Sequence, residues 1–251
     1  MTTRVAVVGA TGKLGRLITE VVSEHPELTL HAGLDSRSAL SEVDGADIVV
    51  DVTTPTVSPR VVEHALSAGA RVLVGSSGWG AERVAELEAR VADSGSAVLI
   101  VPNFSLGSVV ATTLAALAAR HFDSIEVIER HRQSKVDSPS GTAVRTAELM
   151  AESRRGRGPV AAPHADQRAR GELVAGIPVH SLRMDGVVAQ QEVVLGGEGE
   201  QLRILHDTVS NDAYRGGVIR ALEALPSLRG VHVGLDALLG LDRLRLATSG
   251  E

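Results

Sequence analysis

The stretch VAVVGATGKLGRLI, Val5 to Ile18, decides the fold. A short apolar run of strand type ends at Gly9, glycines follow at the spacing GxxGxxG (Gly9, Gly12, Gly15), and an apolar helical pattern begins at once. A glycine turn between strand and helix lets a pyrophosphate approach the backbone closely and sit on the free N–H groups of the helix N-terminus. Gly9, Thr11, Gly12, Lys13 and Leu14 are therefore candidate cofactor contacts. Asp35 follows Gly15 by 20 residues, at the end of the next strand-like run, where a carboxylate can accept hydrogen bonds from a ribose hydroxyl. That acid favours NAD, whereas Lys13, Arg16 and Arg37 tolerate the additional phosphate of NADP, so the expected cofactor is NADH or NADPH. A ligand-free tight turn with a solvated Asp35 is the alternative reading.

Outward from this turn, RVAVV (4 to 8), LTLHAGL (28 to 34), DIVVDV (47 to 52), RVLVG (71 to 75) and AVLIV (97 to 101) alternate with helical patterns near 13–24, 57–68, 81–93 and 105–120. Nearly every position in these runs is apolar, as expected for strands covered on both faces, and the alternation implies a parallel sheet with right-handed crossovers. Two more turns belong to the same rim, because ligands of such sheets lie beyond the carboxyl ends of the strands. Gly75, Ser76 and Ser77 of GSSG, and Val101, Pro102, Asn103 and Phe104 of VPNFSLGS, are candidate cofactor contacts, although each turn alone is also ordinary loop chemistry.

After about residue 122 the rhythm changes. IEVIERHRQ, IPVHSLRM, VVAQQEVVLGG and EQLRILHDTV alternate apolar and polar residues, the pattern of a mostly antiparallel sheet with one face buried. One helix, near 140–153, interrupts them, and 154–172, rich in Gly, Pro and charge, reads as a mobile surface loop. The last residues return to helix and short strand. The expected fold class is α/β: a Rossmann-like parallel-sheet dinucleotide-binding domain (1–106 plus 214–251) and an α+β substrate and oligomerisation domain with a mixed, mostly antiparallel sheet (107–213).

Composition excludes several classes. The 251 residues are 43% hydrophobic, carry a formal net charge of −6 and include only 2% aromatics, which leaves no basic surface and little to stack on bases, so nucleic acid is not an expected partner. No apolar run reaches membrane-spanning length and no leader pattern opens the chain, so a cytoplasmic protein without membrane association is expected. Cysteine is absent, which removes the nucleophile of semialdehyde dehydrogenases. The single tyrosine, Tyr214, is followed four residues later by Val218 instead of the Lys of short-chain dehydrogenases. His, Asp and Glu spacings show no metal motif; His64, His180 and His206 read as packed or surface histidines.

The other informative stretch is HRQSKVDSPSGTA, His131 to Ala143. Ser140, Gly141 and Thr142 open a helix whose first N–H groups and dipole favour an anion, and Arg132 and Lys135 bring positive charge nearby. Histidine is the side chain whose unperturbed pKa lies near neutrality, so His131 is the candidate to deliver a proton in step with hydride addition. The plain alternative is a capped helix beside solvated basic residues.

With these motifs in hand, the chain resembles the 4-hydroxy-tetrahydrodipicolinate reductases of diaminopimelate and lysine biosynthesis over essentially its whole length. VAVVGATGKLGRLI is similar to the family's cofactor turn, VVDVTTP to its third-strand segment, VGSSGW and VPNFSLG to its later cofactor loops, and ERHRQSKVDSPSGTA to its most specific motif. GIPVHSLRMDG and GGEGEQLRILHD are similar to its later strands. The resemblance implies hydride transfer from NADH or NADPH to a cyclic unsaturated dicarboxylate, then protonation, in an enzyme that is usually a homotetramer joined through the second sheet. It places the proton-donating pair on His131 and Lys135 and the carboxylate grip on Gly141 and Thr142. The chain departs from the family in three places: Arg132 where a second consecutive His is usual, Gln190 where His is expected, and GSSG in place of a turn with two threonines. Two other readings stay open: a divergent paralogue reducing another cyclic imine or unsaturated acid, and a non-catalytic dinucleotide-binding protein.

Overall fold

The computed structural model describes residues 2–92 and 95–241, and its contacts divide the chain into two compact units, the first made of Met1–Phe104 with Tyr214–Leu238 and the second centred on Ser105–Ala213. Positions 242–251, assigned from sequence to the first domain, and position 93 of an expected helix lie outside the described residues.

In the first unit, β1 (Thr3–Val8), α1 (Lys13–Glu24), β2 (Leu28–Leu34), β3 (Ile48–Asp51), α2 (Ser58–Ser67), β4 (Arg71–Val74), α3 (Ala81–Val91) and β5 (Ala97–Ile100) follow in chain order. The second unit holds α4 (Leu106–Ala118), β6 (Ser124–His131), α5 (Gly141–Ser153), β7 (Glu172–Val174), β8 (Ile177–Arg183), β9 (Ala189–Gly197) and β10 (Glu200–Thr208). The chain then re-enters the first unit with α6 (Arg215–Ala224) and β11 (Gly230–Val233).

The first sheet has six strands in the order β11-β5-β4-β3-β1-β2, every pair parallel. The β-branched runs of β1, β3, β4 and β5 send alternate residues to opposite faces. Ala6, Val8, Val49, Val72, Val74, Val98 and Ile100 pack with Val61, Val62 and Ala65 of α2 and Leu87 and Val91 of α3. Val5, Val7, Val50, Leu73 and Leu99 are equally buried on the other side, where α1 meets α6. β2 departs from the expectation that all five strands are covered on both faces. It is the sheet edge, only Leu34 is fully buried, and Leu30 is 36% exposed.

The second unit carries a five-stranded sheet, β10-β9-β6-β8-β7, antiparallel except between β6 and β8. Its core is small-residue packing: Ala115, Ala116 and Ala119 near the end of α4 and Ala143, Ala147 and Met150 of α5 lie against Ile125, Val127, Ile177, Val179, Val193 and Leu195. Alanines on both helices allow close approach to the sheet, and each fully buried Ile, Leu or Met contributes about 1.5–3 kcal/mol of transfer free energy. The segment 154–172 departs from the expected surface loop at both ends. Arg154 is buried, with its guanidinium on the carbonyls of Ala119, Phe122, Gly158 and Pro159, and burial pushes its pKa down; Arg168–Arg170 forms a short helical turn leading to β7. No helix among the described residues is long and apolar enough to cross a membrane.

Candidate active site

The glycine turn is built by steric necessity. Gly9 has φ +92°, and a Cβ there would lie 2.6 Å from the Val52 carbonyl oxygen. At Gly15 a Cβ would stand 2.1 Å from the Gly9 oxygen, so the first turn of α1 rests directly on the preceding loop. Gly12 caps α1 with an extended backbone, and Thr11, Gly12 and Lys13 are exposed while Leu14 is half-buried. The first amides of the helix thus face outward beside a backbone with no side chain in the way, a cradle that fits a dinucleotide pyrophosphate.

Asp35 lies one residue beyond β2. Its carboxylate accepts from the Arg37 backbone N–H at 2.8 Å and pairs with the Arg37 guanidinium at 2.9 Å, a contact that holds the acid below its usual range. Arg37 itself is 88% exposed. The GSSG turn is supported from below: Asp51, fully buried at the end of β3, accepts from Thr53 and from the Ser58 hydroxyl, and Trp79 donates its indole N–H to the Ser58 oxygen at 2.9 Å. Ser76 is buried, Ser77 is exposed, and a Cβ on Gly75 would strike the Phe104 ring and Val52. Phe104 and Val101 are buried under the rim that Pro102 and Asn103 continue.

The second unit holds the chemistry-bearing cluster. His131 ends β6, and its Nδ1 lies 2.5 Å from the Glu129 carboxylate, whose side chain is fully buried. Glu129 also receives both terminal nitrogens of Arg183 at 2.9 Å and the Ser140 backbone N–H at 3.2 Å. Burial pushes the Glu129 carboxyl up, but hydrogen bonds from His131 and Arg183 outweigh it and hold the pKa at about 2. An ionised carboxylate only accepts, so His131 donates through Nδ1 and leaves Nε2 as its other reactive atom. Neither Glu129 nor Arg183 was among the candidates from sequence. The available signal was that Ile125, Val127, Glu129 and His131 share one phase of the strand, which puts an acid in the apolar row.

Ser140 is buried, and its hydroxyl accepts from the Ala143 N–H as the cap of α5. Gly141 and Thr142 form the first turn, and a Cβ on Gly141 would meet nothing within 4 Å. Lys135 pairs with Asp137 at 2.8 Å, and Arg183 ties their loop down by donating to the carbonyls of Lys135 at 3.3 Å and Asp137 at 2.5 Å. Arg132 is exposed just past β6 and has no ion pair among the described residues. Gln190 faces the opposite side of the sheet from His131, where it bridges Arg130 and Asp207. That departure from the family pattern therefore lies away from the His131 cluster.

His64 pairs with Asp44 and His180 with Glu126. His206, whose pKa burial lowers, lies 3.2 Å from the Ser105 hydroxyl.

Glu129 makes acid stability testable. A carboxyl whose folded pKa falls from 4.5 to about 2 stabilises the fold fully above pH 4.5, and that contribution is lost as pH falls toward 2. The expected loss is on the order of 3 kcal/mol. In Glu129→Gln the corresponding slope in denaturant-derived stability between about pH 5 and 2 should be absent.

Residues 3–104 match the family described as dihydrodipicolinate reductase, N-terminus, and residues 107–239 match dihydrodipicolinate reductase, C-terminus. A 4-hydroxy-tetrahydrodipicolinate reductase of Clavibacter michiganensis is 59% identical over 246 residues, spanning 98% of this chain and 89% of its own length. That of Mycolicibacterium smegmatis is 41% identical over 243 residues, 95% of this chain and 99% of its own. Among solved structures, a dipicolinate-bound dihydrodipicolinate reductase from Paenisporosarcina matches with TM-score 0.79 at 28% identity, covering 94% of this chain and 99% of that one. A protein of gentamicin A biosynthesis, solved in complex with NAD, has the same fold at TM-score 0.64 and 16% identity, over 98% of this chain and 93% of its own.

Proposed function

From the fact that this chain belongs to the dihydrodipicolinate reductase family, whose two domains it matches in order, we infer that it is a nicotinamide-dependent reductase converting 4-hydroxy-tetrahydrodipicolinate to tetrahydrodipicolinate in diaminopimelate and lysine biosynthesis. The observation that carries this reading is the His131–Glu129 pair beside the start of α5, in the domain the family shares.

A reduced nicotinamide, when bound, supplies the hydride. Gly9, Gly12 and the first amides of α1 hold its pyrophosphate, with Thr11, Lys13 and Leu14 alongside and Asp35 toward the ribose. The turns Gly75–Ser77 and Val101–Phe104 complete that rim. The substrate centre left electron-rich after hydride addition needs a proton, which His131 delivers from Nε2 while Glu129 keeps Nδ1 protonated. Lys135 is the second member of the donating pair. The amides of Gly141 and Thr142, at the positive end of the α5 dipole, take one substrate carboxylate; exposed Arg132 is placed to take the other with two hydrogen bonds.

Both reduced cofactors serve, because Asp35 suits a ribose hydroxyl and exposed Arg37 a 2′-phosphate. Arg37→Ala should raise KM for NADPH several-fold and leave KM for NADH nearly unchanged, read from initial rates with each cofactor. A homotetramer is the proposed assembly. The face of the second sheet away from α4 and α5 leaves Leu173, Leu182 and Leu205 exposed at 46%, 38% and 54%, amid Glu126, Arg130 and Glu192, apolar area rimmed by charge. Light scattering of the purified chain should return four times its mass of 26.1 kDa.

The deciding experiment follows NADH and NADPH absorbance with freshly generated 4-hydroxy-tetrahydrodipicolinate. Turnover is expected with both. Protein that binds dinucleotide and turns over with neither would overturn this substrate assignment in favour of a different cyclic imine, and restored turnover in Arg132→His would trace the change to that position.

A further inference from the structure

We propose that Glu129 is the positioning residue for the proton donor, and that through it Arg183 locks His131, the Lys135 loop and the start of α5 into one unit; this rests on His131 acting as the donor. The side chain of Glu129 is fully buried, and four donors converge on it: His131 Nδ1 at 2.5 Å, two Arg183 nitrogens at 2.9 Å, and the Ser140 N–H at 3.2 Å. These donors come from its own strand, from β8 and from the cap of α5.

Two consequences follow for the imidazole. Its neutral tautomer is fixed with hydrogen on Nδ1, so Nε2 is the atom that gives up the proton and can be recharged from solvent. The ionised carboxylate also stabilises the imidazolium, the form that must be present when the electron-rich centre arises. The same carboxylate holds Ser140, the residue before Gly141, so the donor and the carboxylate grip are set by one anchor.

A simple ion pair tying β6 to β8 would need only Glu129 and Arg183. Here Arg183 also spends Nε and Nη2 on the carbonyls of Lys135 and Asp137, which carries the anchor into the loop of the second donor. The charged groups bonded to one another in this cluster are Glu129 on β6, Arg183 on β8 and the Lys135–Asp137 pair on the loop, whereas Glu126 and Arg130 of β6 lie on the opposite face of the sheet and Arg145 and Glu148 of α5 pair with each other. Bidentate geometry is what arginine supplies and lysine does not.

The test is Glu129→Gln in the full chain, followed by steady-state kinetics across pH and by imidazole nitrogen NMR of protein carrying labelled histidine. Expected are a kcat lower by about 10- to 100-fold, KM for NADPH within about twofold of wild type, an alkaline limb of the kcat profile moved roughly one unit to lower pH, and a His131 signal that mixes the two neutral tautomers. Glu129→Asp, which keeps the charge, should recover part of the rate and the single tautomer. A folded Glu129→Gln enzyme with wild-type kcat, pH limb and His131 spectrum would overturn the proposal. If Glu129→Gln does not fold, Arg183→Lys gives the same reading, and an unchanged His131 spectrum and profile there would overturn it equally. The spectrum also separates the two levels: should His131→Ala prove fully active, the donor assignment falls, while the tautomer still reports whether Glu129 positions the ring.

Discussion

His131→Ala is expected to lower kcat by roughly two to four orders of magnitude while KM for NADH and NADPH stays within about twofold. The split matters more than the size. The proposed cofactor contacts belong to the first unit, whereas His131 ends β6 of the second, so the variant leaves every proposed cofactor residue in place. Its side chain is mostly buried, 16% exposed, so truncation also removes packing, a loss of stability read by thermal unfolding and separate from the kcat effect. It further removes the donor that satisfies one oxygen of buried Glu129, but the bidentate Arg183 pair remains to keep that carboxylate compensated. Stopped-flow traces with saturating NADPH and 4-hydroxy-tetrahydrodipicolinate check the expectation, and a kcat equal to wild type would refute the donor role.

The second large effect is structural. Gly15→Ala would set a Cβ 2.1 Å from the Gly9 oxygen and 2.8 Å from the Ala10 Cα, distances that only backbone displacement can relieve. Helix α1 must then lift from the loop beneath it, and the amides proposed to hold the pyrophosphate move with it. Overpacking of this kind costs roughly 1–3 kcal/mol, and cofactor affinity should fall by two orders of magnitude or more because the anion site is the displaced element itself. Thermal unfolding with and without NADPH reads both: a lower midpoint, and loss of the stabilisation that NADPH gives the wild type. Gly12→Ala is the internal comparison, since its Cβ would lie 3.3 Å from the same oxygen and calls for an adjustment of only a few tenths of an ångström.

Much of this molecule was legible in its sequence because the relevant signals are local. The glycine spacing, the β-branched runs and the Ser-Gly-Thr helix start each fall within about a dozen consecutive residues, and all three occur where expected. β2 misled because an apolar run looks the same at a sheet edge as at its centre, and strand order is not written in any one strand. Arg154 misled for a similar reason: in a Gly- and Arg-rich stretch nothing marks one guanidinium as the partner of four carbonyls, two of them over thirty residues back. The Glu129–Arg183 pair was missed because its members are 54 residues apart and meet only through the parallel register of β6 with β8. His131 and Lys135 were visible as chemistry, but what holds them in place was not.

The interleaving of the two units has a consequence for how the chain is made. The first 104 residues leave the ribosome with five of six strands and with β5 paired only to β4, its other edge waiting for Gly230–Val233, and with Phe104 not yet packed against Gly217. The larger part of the second unit, Ser105–Ala213 with its five strands, is contiguous and can begin to pack in the interval. Biogenesis therefore passes through a nascent species with the five-stranded sheet made and the six-stranded sheet still open along an apolar border, the kind of surface that holdase chaperones recognise. Premature termination between residues 214 and 229 leaves the protein in that form.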